Sequence, residues 1–164
     1  MPKKKKGPVI KVRTANHGDI ARMAPHVREA DRQELWAIGY MTPEKALTEG
    51  LRMSKFAYTG TVDGRPAVMF GVCDGAVLGG LGNVWLIGTD EIEQNALTFL
   101  YESPKYLRKM QKRYEMLTNY IDARNKVAIR WLRWLGFSFD DAEPMGPFKV
   151  PFHRFWLKGE LSYV

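Results

Sequence analysis

NKVAIRWLRWLGF, residues Asn125 to Phe137, is the stretch on which the fold turns. Ala128, Trp131, Leu132 and Leu135 follow the i, i+3, i+4, i+7 spacing that gathers side chains on one helical face. Lys126, Arg130 and Arg133 fall on another face, which stays in water. Asn125 stands where a cap accepts a free backbone N–H. Gly136 closes the helix, because glycine adopts the left-handed conformation without steric cost, and Phe137 folds back onto the apolar face.

Working outward, Val9 to Arg13 alternates apolar and basic residues, the pattern of a half-buried strand. Asp19 is expected to cap a helix with Ile20, Met23, Ala24 and Val27 inward, and Thr42-Pro43 to open a second helix reaching about Met53. Phe56 to Val62 and Pro66 to Cys73 flank Asp63-Gly64, a strong hairpin signal. Asn83 to Gly88 reads as a third strand. Ser103-Pro104 is expected to open a basic helix with Tyr106, Met110, Tyr114 and Leu117 inward. Leu117 to Asp122 and Phe152 to Lys158 read as strands, with a further short one near Phe137 to Asp140. The order β-α-α-β-β-β-α-β-α-β predicts an α/β fold: a mixed, mostly antiparallel central sheet with helices on both faces.

A chain of 164 residues, 45% hydrophobic and 26% charged, suits one domain over residues 9–164, preceded by a disordered basic tail over residues 1–8. No apolar run reaches the ~18–20 residues that span a bilayer, and no apolar signal core follows MPKKKKGP. With Cys73 as the only cysteine, a cytoplasmic setting is expected. His17, His26 and His153 lie too far apart in sequence for metal-ligand spacing, so no metal is expected. The net charge of +7 comes largely from Lys3 to Lys6 and from Lys105, Arg108, Lys109, Lys112 and Arg113. It is compatible with an anionic partner: nucleic acid, a phosphorylated cofactor or an acidic protein surface.

The closing Asn-x-x-Ala, aromatic and Gly-Phe pattern resembles the final helix of Gcn5-related N-acetyltransferases, and Val12-Arg13-Thr14-Ala15 with Asp19-Ile20 resembles their opening. The resemblance runs from about Val9 to Leu157. A narrower likeness, carried by Trp85, Ser103-Pro104-Lys105 and Asn119-Tyr120-Ile121, is to small acetyltransferase-like internal virion proteins of short-tailed bacteriophages, which are associated with assembly or ejection. The wider resemblance implies an acetyl-coenzyme A slot where two central strands splay. Its pantetheine would pair with backbone around Trp85, Leu86 and Ile87, and Asn125 would either cap its helix or touch the cofactor. Ser103 and Lys105, at the expected helix start, could hold the pyrophosphate or could simply be solvated.

Two departures stand out. Thr89 to Ser103 has no glycine where the family places its phosphate loop, and carries Asp90, Glu91, Glu93 and Glu102 instead, which oppose an anion. Leu132 replaces the tyrosine that protonates the leaving thiolate in many family enzymes. Tyr101, Tyr106, Tyr114 and Tyr120 remain as acids, and Asp90, Glu91 and Asp122 as bases, with nothing selecting among them. Catalytic residues are thus unassigned.

Gly75, Gly79, Gly80 and Gly82 lead into a strand rather than a helix, so they read as a hairpin connection and not a phosphate loop. Most of the five tryptophans read as core, and Cys73 as a small buried apolar residue. The expectation is a divergent phage-type protein of acetyltransferase fold, associated with virion assembly, with weakened or lost acetyl-coenzyme A chemistry. Its alternatives are an active N-acetyltransferase, and a nucleic-acid-binding accessory protein that uses Lys3–Lys6 and the Lys105–Arg113 helix. Virion proteins are expected partners under the first reading.

Overall fold

The computed structural model describes residues 2–75 and 79–161, so the middle of the glycine-rich connection after Gly75 lies outside the described residues. Its strands are β1 (Ile10–Thr14), β2 (Ser54–Val62), β3 (Arg65–Asp74), β4 (Leu81–Gly88), β5 (Met116–Asp122), β6 (Ser138–Phe139), β7 (Glu143–Met145) and β8 (Val150–Lys158). Its helices are α1 (His17–Met23), α2 (Glu29–Gly39), α3 (Pro43–Met53), α4 (Asp90–Gln94), α5 (Ala96–Arg113) and α6 (Lys126–Trp134). The strands form one sheet in the order β1-β2-β3-β4-β5-β8-β6, with β7 also on β8. Every pairing is antiparallel except β4 with β5. The mixed, mostly antiparallel sheet with helices on both faces is therefore the architecture found.

On one face, Ile20 and Met23 of α1 and Leu47 of α3 bury against Met69, Ile87 and Trp85. On the other, Met110 of α5 and Ile129 of α6 bury against Val72, Leu117, Ile121 and Phe155. The β2–β3 hairpin turns at Asp63 and Gly64, both at positive φ (47° and 80°), the backbone that matches the twist of its strands. The α6 segment behaves as its sequence demands. Asn125 caps it through Ala128 N–H, Gly136 ends it at φ 101°, and the Phe137 N–H returns to the Leu132 carbonyl at 3.0 Å.

Besides the short α4 and β7, which the sequence reading did not place, three elements differ from expectation. Asp19 is not the cap of α1; Asn16 is, and the two exchange side chain-to-backbone hydrogen bonds in a reciprocal box. Asp19 is instead buried, held by both terminal nitrogens of Arg13 and by the Thr59 hydroxyl. The helix also stops before Val27: Pro25 forces a 3₁₀ turn over Ala24–His26, and Val27 leaves as a bridge to Thr89.

The second difference is α2, which the sequence pattern did not disclose. Trp36 and Ile38, two of its large apolar residues, are exposed, so its hydrophobic spacing is blurred. The third is the basic helix. Ser103-Pro104 does not open it; α5 starts at Ala96 and carries Pro104 in its interior. Phe99, buried on the sheet, anchors a helical turn upstream of the proline. The Ser103 hydroxyl donates to the Phe99 carbonyl at 2.6 Å, as serine does inside helices.

Candidate functional site

The pairing of β4 with β5 ends at Asn83 opposite Thr118, although β4 continues to Gly88 and β5 to Asp122. Beyond that point the strands part. A cavity of about 560 Å³ opens there, walled by Leu86, Phe70, Ile121 and Leu132 among others. Phe99 lines it without closing it, and Tyr101 points away, 74% exposed, against Trp134.

Alternation along β4 fixes which peptide groups meet the gap. The Thr89 N–H bonds to Ala67 of β3, whereas Gly88 turns its N–H and C=O to the other side. The peptide groups of Ile87 and Trp85 accordingly pair with β3, and their side chains pack on α1 and α3; the Trp85 indole N–H donates to the Ser54 hydroxyl at 2.8 Å. Val84, Leu86 and Gly88 face the gap. The Val84 carbonyl accepts from the Asn119 side-chain amide at 2.7 Å. The Gly88 N–H donates to the Asp31 carboxylate, and its carbonyl accepts from Arg28 N–H, each at 2.9 Å. Leu86, between them, presents its N–H and C=O to the opening. Of the three residues expected on this edge, Leu86 alone meets the slot through its backbone.

One end of the slot is a charged cluster built from α2, α4, β5 and α6. The buried Arg28 guanidinium makes two bonds to Asp31, one to Glu93 and one to Asn125, and lies 5.1 Å from the centre of the Trp131 ring. Asn125 therefore does more than cap α6: its amide also donates to Glu34 at 3.3 Å and to Asp31 at 3.5 Å. Asp122 is buried and held by Arg124. Glu34 accepts the Asp122 N–H at 2.8 Å. Burial pushes the Glu34 carboxyl up to about 7, reinforced by the nearby Asp31 and Asp122 charges and opposed by its two hydrogen bonds.

Glu34, like Asp31 and Arg28, escaped sequence reasoning. It sits on α2, the helix whose periodicity is blurred, so no motif marked it. Of the bases expected, Asp90 is exposed and Glu91 is paired with Arg65 at 2.7 Å. Among the tyrosines, Tyr106 and Tyr120 reach the cavity. Tyr114 is buried with its hydroxyl donating to Asp74 at 2.7 Å, and its pKa is raised by burial and by that carboxylate. Cys73 is half-buried, 3.4 Å from the Ser54 hydroxyl.

Because α5 starts at Ala96, Ser103 and Lys105 lie in mid-helix rather than at an N-terminus. Mid-helix N–H groups are already bonded within the helix, so no backbone anion site exists at these two residues. Lys105 pairs with Glu102 at 2.9 Å. The helix start that does follow β4 is α4, whose first turn holds Asp90, Glu91 and Glu93, and the Thr89 hydroxyl there bonds to Ala67 instead of capping. Of its three carboxylates, Glu91 and Glu93 are bonded to Arg65 and Arg28 and Asp90 remains to oppose a diphosphate, while the segment lacks the glycines that admit one closely. Among the described residues, no group of His, Cys, Asp and Glu is arranged to hold a metal. No helix of the described residues is long and apolar enough to cross a membrane.

Comparison with solved structures places this geometry. The ribosomal-protein-S18-alanine N-acetyltransferase from Escherichia coli is 14% identical, with a TM-score of 0.65 over 94% of this chain and 97% of its own. A GCN5-related N-acetyltransferase from Kribbella flavida is 14% identical, with a TM-score of 0.67 over 91% and 97%. The protein yncA from Salmonella typhimurium, solved with its cofactor acetyl-CoA, is 13% identical, with a TM-score of 0.64 over 94% and 96%. The fold is that of the Gcn5-related N-acetyltransferases. Residues 68–143 match the sequence family described as "Bacteriophage T7, probable scaffold protein Gp13". No curated protein matches the chain in sequence.

Proposed function

We propose that this chain is a phage assembly protein built on the acetyltransferase fold, acting in the host cytoplasm or the virion, with its acetyl-coenzyme A chemistry weakened. The observation that carries the reading is the occupied edge of the slot. Asp31 and Arg28 take both backbone groups of Gly88, Asn119 takes the Val84 carbonyl, and carboxylates open the helix where a diphosphate would lie. A slot serving acetyl-coenzyme A would leave that edge for pantetheine and offer N–H groups to phosphate. The phage scaffold family supports the same reading, because its match takes in β4, α4, α5, β5 and α6, the walls of the slot. Virion proteins are the partners this implies.

Ligand that binds the folded state raises its melting temperature. Millimolar acetyl-coenzyme A should leave the melting temperature unchanged, and lysates of infected cells should show the chain sedimenting with assembling particles. A clear upward shift, with the chain in the soluble fraction only, would overturn the proposal. A second reading, an active N-acetyltransferase, has Glu34 in its favour: a carboxyl titrating near neutrality on the slot wall is suited to take a proton from an amine.

A further inference from the structure

We propose that the outer face of α5, with the adjoining end of α6, is a track for single-stranded nucleic acid. Leu97, Tyr101, Lys105, Arg108 and Lys112 fall at i, i+4, i+8, i+11 and i+15, one stripe of the helix, and Lys109 and Arg113 flank it. All are exposed. Among the described residues, no carboxylate comes within ion-pairing distance of Arg108, Lys109 or Lys112, while Lys105 has Glu102. Three such cations on one face set up a positive potential that attracts a polyanion. Lys109 is held over the Tyr58 ring, which keeps its ammonium at the surface.

The stripe begins in aromatic surface. Trp134 is 53% exposed and meets Tyr101 edge-on, with ring centres 5.9 Å apart and planes at 89°. Such a perpendicular pair leaves a face of each ring open. Trp134 is thus one tryptophan that core packing does not explain. Beside the pair, a hollow of about 260 Å³ runs between the two helices, with Arg130 on its rim.

Aromatic surface that continues into a row of cations, of which Arg108, Lys109 and Lys112 have no carboxylate partner among the described residues, matches a strand whose bases stack while its phosphates are neutralised. A duplex hides its base faces, so the rings select single strands. A protein partner would want charge depleted from the centre of the contact, the opposite of this stripe. The inference is independent of the slot and of the reading proposed for it, since the stripe lies on the outside of α5.

The test is fluorescence anisotropy with short labelled oligo(dT) and oligo(U) across a salt series, with circular dichroism confirming the fold of each variant. The chain should bind, more weakly as salt rises. Combining Arg108→Gln, Lys109→Gln and Lys112→Gln should reduce the slope of log K against log salt by about 2. Tyr101→Ala and Trp134→Ala should each cost about tenfold at fixed salt. A preference for dT or for U that persists when oligo(dU) replaces oligo(dT), removing the thymine methyl, identifies the strand as DNA or RNA, and equal binding means the sugar is not read; each supports the track. Unchanged binding by these variants, equal binding of duplex, or loss only on deleting residues 2–7 would overturn it.

Discussion

Glu34 holds its proton to about pH 7 in the folded chain, against 4.5 as its ordinary value. Between those values the unfolded state has lost the proton that the folded state keeps, so stability falls as pH rises from about 4.5 through 7 and levels off above. The shift corresponds to a loss of up to about 3 kcal/mol. Glu34→Gln keeps an acceptor for the Asp122 N–H and removes the titration. The variant should match the parent in urea unfolding at pH 4.5 and exceed it at pH 8. Parallel pH profiles for the two proteins would show that Glu34 ionises normally. The residue was invisible in the sequence because a lone glutamate acquires its environment only from what folds around it. Asp122 and Asn125, by contrast, sit beside the motif that announces α6.

At the scale of elements, local signals that agree with packing were legible and those that conflict with it were not. The Asp63-Gly64 turn, the Thr42-Pro43 helix start and the Asn125-to-Phe137 segment each combine a turn or cap with a matching apolar pattern, and each forms as read. Ser103-Pro104 carries a start signal, but the burial of Phe99 pulls the helix past it. The proline then sits in α5 without an N–H for the Leu100 carbonyl. Pro104→Ala should restore that bond and stabilise the chain by roughly 2 kcal/mol, read as a higher urea midpoint. A lower midpoint would mean that the proline ring makes contacts worth more than the missing bond. α2 failed to show for the opposite reason: its exposed Trp36 and Ile38 break the spacing that marks a buried face.

Across the whole molecule, the strand order and the parting of β4 from β5 give the chain the acetyltransferase fold, while side chains of Asp31 and Asn119 take backbone groups along the gap. On the proposed reading, the Leu86 peptide is all that this edge leaves for a pantetheine arm, too little to hold it at millimolar concentration, and the acidic start of α4 gives the nucleotide half of the carrier no added hold. Isothermal calorimetry comparing pantetheine with acetyl-coenzyme A separates the two halves directly. If the diphosphate site is lost, acetyl-coenzyme A binds no more tightly than pantetheine. Acetyl-coenzyme A binding tenfold or more tightly, a difference of about 1.4 kcal/mol, would contradict this account.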